Sequence, residues 1–96
     1  MSIESIAQEV VEELQEAESK FGPFNSSHEG YAVILEELDE LWEVVRLNPK
    51  KIQVPLADPE HTLKMQNTKR NDMMRAEAIQ VAAMAMRFIK CVCDEK

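Results

Sequence analysis

The amino-acid sequence predicts an all-α fold in which a single domain spans residues 1–96. Glu, Lys, Ala and Leu are abundant, whereas Gly occurs only twice and Pro four times, a composition that favours helices over strands. Aromatic residues make up 5% of the chain, and Ala, Val, Leu, Ile and six Met supply most of the apolar content. This composition is typical of a helix bundle. Because 96 residues form a small core, self-association would help to stabilise it.

Helix 1 is predicted from about Ser2 to Lys20. Its apolar residues recur at spacings of four and three, which indicates a narrow seam against a neighbouring helix. The sequence Phe21-Gly22-Pro23-Phe24 ends the helix, because Gly suits the position after a last helical turn. The seam consists of Ile3, Ala7, Val10, Leu14, Ala17 and Phe21.

Helix 2 is predicted to begin after Ser26, which forms a capping box with Glu29, and to end near Leu47, ahead of Asn48-Pro49. One face of this helix is apolar and is expected to face the core, so that Tyr31 and the tryptophan pack rather than bind a ligand. That face carries Ile34, Leu38, Leu41, Trp42 and Val45.

The segment from Asn48 to Asp58 has no apolar periodicity and is predicted to be a connection. Asp58 and Pro59 then start a helix as cap and first residue. Residues 61–72 are polar, and the sequence leaves open whether they continue into the next helix. Helix 3, from Asp72 to about Val92, is apolar nearly all round and is expected to be buried on several sides, at a bundle centre or an oligomer interface.

Three helices of this kind do not close a four-helix bundle. We therefore expect a helical hairpin-like, three-helix subunit that completes a four-helix-type bundle by oligomerisation, as a homodimer or homotetramer.

The charge distribution limits the partners that the chain can have. The net charge is −7. Twelve of the eighteen acids precede Arg46, and Lys20 is the only base in that part of the chain. Seven bases lie in the segment from Arg46 to Arg75. An acidic protein has no general attraction for nucleic acid or for an anionic membrane, although the middle segment suits a small anion such as a phosphate chain.

Three further sequence features indicate a soluble, cytoplasmic protein. The N-terminus has no signal-peptide pattern, and no apolar run approaches the ~18 residues of a membrane span. Cys91 and Cys93 point about 200° apart on a helix and have no histidine beside them, so we expect two free thiols in a reducing compartment.

Four carboxylates lie within five residues of helix 2, Glu36-Glu37-Leu38-Asp39-Glu40. Like charges one turn apart destabilise a helix, and no lysine among them relieves the repulsion. Such a run is either a solvated acidic face or a site for a hard divalent cation such as Mg²⁺. A second acid, Glu77, lies one turn from Gln80 in apolar helix 3, where an unpartnered carboxylate is costly to bury. Arg75, Arg87 or a metal ion are the alternative partners for it.

These two stretches, with Glu36 to Glu40 on one helix and Glu77-Ala78-Ile79-Gln80 on another, resemble the all-α nucleotide pyrophosphohydrolases of the MazG-like type. The resemblance covers helices 2 and 3, somewhat over half of the chain. It implies a Mg²⁺-dependent enzyme, with Mn²⁺ as a possible substitute, that splits a nucleoside triphosphate into a monophosphate and pyrophosphate.

The family signature is E-x-x-E on one helix and E-x-x-D on the next. The resemblance implies metal ligation by Glu37, Glu40 and Glu77, with Gln80 standing where the family has Asp. Glu36 is the candidate general base for the attacking water. The basic residues nearest to these acids are the candidates for triphosphate binding, with solvated surface bases as the alternative interpretation. They are Lys64, Lys69, Arg70 and Arg75.

The substitution at Gln80 keeps a second interpretation open. An amide oxygen can ligate Mg²⁺ but adds no charge, so the chain is alternatively a non-catalytic MazG-like module with a degenerate metal site, which binds nucleotides or another protein. A third interpretation is a plain acidic helical dimer in which Glu77 pairs with an arginine and no ligand is needed.

Overall fold

A computed structural model describes residues 2–94 and contains three α-helices within that range. Helix α1 spans Ile3–Phe21, α2 spans Ser27–Val45 and α3 spans Pro59–Phe88. A 3₁₀ turn at Pro49–Lys51 interrupts the connection between α2 and α3, and a π-helical turn at Ile89–Cys93 extends α3. Residues 2–94 contain no strand, which confirms the predicted all-α class and the predicted three helices.

The helices begin where their capping residues predict. The Ser26 hydroxyl accepts a hydrogen bond of 3.1 Å from the backbone N–H of Glu29, and the Asp58 carboxylate accepts one of 2.9 Å from that of His61. A cap of this kind stabilises a helix by about 1 kcal/mol. The Glu29 carboxylate accepts bonds from the backbone and side-chain amides of Asn25, at 3.2 and 2.9 Å, so its role lies in the turn before α2.

Helix α3 is one continuous helix, which answers the question that the sequence left open. It contains 30 residues and is therefore about 45 Å long. Its polar N-terminal half is held by the preceding connection: the Gln66 amide donates to the carbonyls of Lys50 and Ile52 at 3.2 and 3.0 Å, and Lys69 donates to the Gln53 carbonyl at 3.1 Å. These bonds give the polar half of the helix a tertiary partner that periodicity does not reveal.

The main core lies around the C-terminal half of α3, where α1 packs on one side and α2 on another. The predicted seam of α1 is confirmed at its centre, since Val10, Leu14 and Ala17 are buried there together with Phe24 and residues of α3. Ala83 is fully buried at the centre of this contact. Met84 completes the set of buried α3 residues that contact the seam.

Helices α2 and α3 approach each other most closely at Gly30. A Cβ atom at this position would lie 2.6 Å from the Phe88 ring and 3.1 Å from the Phe24 ring, so only glycine fits without a shift of the neighbouring rings. The other helix-associated glycine, Gly22, adopts φ 67° after the last residue of α1, as its position in the sequence predicts.

The expectation that the apolar face of α2 faces the core is confirmed at Ile34, which packs against the core, and is wrong for three other residues of that face. Leu38, Trp42 and Val45 are 48, 59 and 38% exposed, and Tyr31 is also exposed. The physical reason is that α2 carries a second strip, including Gly30, Val33 and Val44, and it is this strip that contacts the remainder of the chain.

Helix α3 is also less enclosed than its composition suggests. Ala76, Ala78 and Met86 are exposed, because two helices cover only part of its circumference. The molecule measures 58 × 27 × 20 Å with a radius of gyration of 16.5 Å, whereas a compact domain of this length has about 12.5 Å. Within residues 2–94, every helix is too short or too polar to span a lipid bilayer.

Candidate metal centre

Three carboxylates from two helices converge between α2 and α3. One oxygen each of Glu37, Glu40 and Glu77 lies within 4.8 Å of the other two. Glu37 and Glu40 are three residues apart and thus neighbours on the surface of α2, and the packing of α2 against α3 brings Glu77 to them. We call these three residues the carboxylate cluster.

The electrostatics of the cluster are those of crowded negative charge. The pKa of Glu37 is raised to about 7, first by burial, then by the charge of Glu40, a hydrogen bond with it, and the charges of Glu77 and Glu36, in that order. Burial and the neighbouring Glu40 also raise the pKa of Glu77. At pH 7 the cluster therefore resists full ionisation unless a cation or a proton compensates it.

One oxygen of the cluster is left without a hydrogen-bonding partner. Oε2 of Glu37 is buried and accepts no hydrogen bond within residues 2–94. An orphaned carboxylate oxygen is costly inside a protein, and ligation of a metal ion is one of the ways in which proteins compensate it. The donor set of three carboxylates suits a hard cation that prefers oxygen ligands.

The two arginines considered as partners of Glu77 have other contacts. Arg75 pairs with Glu9 on α1, with Nη1 2.8 Å from Oε1. Arg87 donates to the Gly22 carbonyl and lies 4.1 Å from the centroid of the Phe24 ring. Both arginines thus fasten α1 and the turn after it to α3, and neither is among the causes of the pKa shift of Glu77.

Gln80 lies beside Glu37 but contacts α1. Its amide N–H donates to Oε1 of Glu13 at 2.6 Å, which makes it a link between helices. Both Gln80 and Glu37 line a cavity of about 250 Å³ between the three helices, whose lining also holds the acids Glu13 and Glu16 and the bases Lys20 and Arg87. Glu36, the candidate general base, is exposed on α2 next to the cluster and acts on it through its charge.

The structure does not bring the four predicted triphosphate-binding bases together at the cluster. Lys69 donates to the Gln53 carbonyl, and Arg70 donates to the carbonyls of Val45 and Leu47, where it caps the end of α2. Lys64 lies thirteen residues before Glu77 on α3, about 20 Å away along the helix axis. Lys69, Arg70 and Arg75 thus form contacts between elements.

Lys20 is the basic residue of this region that sequence reasoning missed. It is the only base of α1 and lies in its last turn, where it also pairs with Glu16 at 3.0 Å. Lys20 lines the same cavity as Glu37 of α2.

Comparisons of the chain with protein families, with curated proteins and with solved structures found no match. The chemical interpretation of the cluster therefore depends on its geometry and on its residue types.

Proposed function

We propose that the carboxylate cluster binds a divalent cation, Mg²⁺ or Mn²⁺, and that the chain is a nucleoside triphosphate pyrophosphohydrolase that releases a monophosphate and pyrophosphate. The observation that carries this proposal is the convergence of Glu37, Glu40 and Glu77 around a buried oxygen that accepts no hydrogen bond. A homo-oligomer is part of the proposal, because one chain alone builds an elongated molecule with a thin core.

Each residue of the cluster has a role in this proposal. Glu37, Glu40 and Glu77 hold the cation, which when bound supplies positive charge to phosphate oxygens and lowers the pKa of a bound water. Glu36 is exposed beside the cluster and is the candidate to accept a proton from water. Lys20 and Arg87 line the cavity that Glu37 borders and are the positive charges of that lining towards an anionic substrate, beside the acids Glu13 and Glu16.

A second function is favoured by a specific observation at Gln80. Its amide group is turned towards Glu13 on α1, and the bases predicted for the triphosphate hold backbone carbonyls or Glu9 instead. These contacts suit a non-catalytic helical module that binds a nucleotide or a protein and whose metal site is degenerate.

The two functions are separated by pyrophosphate release from a panel of ribo- and deoxynucleoside triphosphates with Mg²⁺ or Mn²⁺. The enzyme is expected to release pyrophosphate only with metal, and Glu40→Gln is expected to lower the rate by about 100-fold or more, since it removes a metal ligand. Glu12→Gln, an exposed acid on α1, is the matched control and should retain the rate.

Two other results would speak against the enzyme. Release by Gln80→Asp but not by the wild-type chain would identify a degenerate site. No release by either protein would leave the binding module as the function for this set of substrates.

A further inference from the structure

Five large apolar side chains form an exposed row along α2, and they lie outside the core and outside the carboxylate cluster. Tyr31, Leu35, Leu38, Trp42 and Val45 are 63, 42, 48, 59 and 38% exposed. We call this row the α2 stripe. A soluble protein seldom leaves a continuous apolar surface of this length open to water, so the stripe needs a partner.

The spacing of the stripe identifies the partner as a helix. Its members follow one another at intervals of four, three, four and three residues, the seven-residue repeat with which one helix packs along another. With 100° per residue, the stripe points about 140° away from Val33 and Glu37, the two α2 residues that border the cavity shared with α1. The stripe is therefore on a side of α2 that α1 does not reach.

We propose that the α2 stripe is the interface with a second copy of this chain, and that the two α2 helices pack antiparallel about a twofold axis at Leu38. In this register Leu38 meets its own counterpart, Tyr31 meets Val45, and Leu35 lies within one residue, about 1.5 Å along the axis, of Trp42, each from the other copy. Every aromatic side chain thus faces a smaller aliphatic one, so that the row is complementary to itself. A self-complementary row is what distinguishes a second copy from an unrelated helix.

The surface available is of the size that such a dimer needs. From their exposed fractions, the five side chains offer roughly 500 Å² per copy, and the adjoining residues of α2 raise this towards the ~800 Å² per partner of a standard interface. The chain also has a thin core, because no large side chain within residues 2–94 is fully buried. Association would add a second apolar layer where the single chain has none.

The charge around the stripe predicts how salt affects the dimer. The stripe itself carries no charge, whereas Asp39 and Glu43 lie towards one edge of it on α2 and each copy has a net charge of −7. Repulsion between the copies is screened by salt. The dimer is therefore expected to become tighter between low and moderate ionic strength.

The first test is sedimentation velocity of the full chain over a range of concentrations. The wild-type chain is expected to dimerise, and Leu38→Glu is expected to weaken the dimer by about 100-fold or more, because it places two carboxylates at the twofold axis. Leu56→Glu is the matched control: Leu56 is fully exposed in the connection and should leave the dimer unchanged. Circular dichroism checks that both variants remain helical.

Cross-linking tests the antiparallel register. In a Cys91→Ser and Cys93→Ser background, a mixture of Tyr31→Cys and Val45→Cys chains should form a mixed disulfide, whereas Tyr31→Cys alone should not link to itself because the two positions are about 20 Å apart along α2. Self-linking of Tyr31→Cys would show parallel helices and overturn the register. A monomeric wild-type chain, or an unchanged dimer in Leu38→Glu, would overturn the interface.

This interface deepens the homo-oligomer that is part of the function proposed above, and its test can be separated from the test of the metal site. The stripe and the carboxylate cluster lie on different sides of α2, so the Leu38→Glu chain should bind Mn²⁺ as the wild type does. A chain that loses the dimer but still binds metal can be distinguished from a chain that loses metal binding but still dimerises.

Discussion

Glu37 is subject to two opposing requirements. Its position places it among the α2 residues that face the rest of the chain, whereas its carboxylate is more stable in water. Burial and Glu40 raise its pKa from 4.5 to about 7, and one of its oxygens lacks a hydrogen bond. A protein that binds no cation at this position would gain stability from a neutral residue there. The carboxylate is thus a cost to the fold that a bound cation removes.

Glu37→Gln is expected to stabilise the metal-free chain by about 1–2 kcal/mol at pH 8, after allowance for partial solvent screening, because the amide removes the crowded charge. The raised pKa means that the folded chain binds more protons than the unfolded chain between pH 4.5 and 7, so wild-type stability falls as pH rises through that window. At pH 4 the two proteins should be equally stable. Urea unfolding at both pH values, with Glu60→Gln on α3 as the exposed control, measures this; a destabilised Glu37→Gln variant at pH 8 would contradict it.

Divalent cations are expected to stabilise the fold in a pH-dependent way. The cation competes with the proton on Glu37, so the rise in melting temperature with Mn²⁺ should be larger at pH 8 than at pH 5.5. Scanning calorimetry of the wild type and of Glu77→Gln at both pH values measures the effect. An equal shift at both pH values, or an equal shift in the variant, would mean that the cation binds elsewhere.

At the scale of the elements, α3 organises the molecule because both other helices and the connection bind to it. The connection depends on Gln66, which is 8% exposed and donates to two backbone carbonyls.

Gln66→Ala should lower the free energy of unfolding by about 1–3 kcal/mol, since it leaves those carbonyls without their donor. Asn67→Ala is the neighbouring exposed control and should cost little. Chemical denaturation compares the two, and equal losses would contradict the account.

The contact between α2 and α3 at Gly30 gives a second prediction at this scale. Gly30→Ala should destabilise the chain by about 1–3 kcal/mol although alanine favours helix, because the new Cβ would collide with the Phe88 ring. Phe88→Leu should cost less in the Gly30→Ala background than in the wild type. A double-mutant cycle from urea unfolding measures this coupling, and additive losses would show that the helices do not meet here.

The ends of the helices could be predicted from the sequence, whereas the side that α2 turns to the core could not. Ser26, Asp58 and Gly22 have local chemistry that specifies a start or an end. By contrast, α2 has two apolar strips, and periodicity alone does not say which one the chain covers itself.

The same distinction applies to the candidate site. The carboxylates of Glu37, Glu40 and Glu77 are on neighbouring helices, and the sequence predicted that they meet. The predicted bases failed to join them because long side chains such as Lys69 and Arg70 reach the nearest backbone carbonyls, and the position of the connection decides where those carbonyls lie. A connection without periodicity gives no sequence signal for that position.

At the scale of the whole molecule, one chain forms a thin layer of helices, with α1 on one side of α3 and the α2 stripe uncovered. Its radius of gyration of 16.5 Å exceeds the about 12.5 Å of a compact chain of this length. In the carboxylate cluster Glu37 and Glu77 are half-buried and Glu40 is exposed, on a side of α2 away from the stripe, so that association and metal binding use different surfaces.

Calorimetric titration of the wild-type chain with Mn²⁺ at pH 8 tests the central claim, that Glu37, Glu40 and Glu77 form a divalent-cation site, most directly. We expect one binding event per chain, weakened by about 10-fold or more in Glu77→Gln and unchanged in Glu60→Gln, an exposed acid in the first turn of the same helix. No binding by the wild type, or equal binding by all three proteins, would contradict the claim.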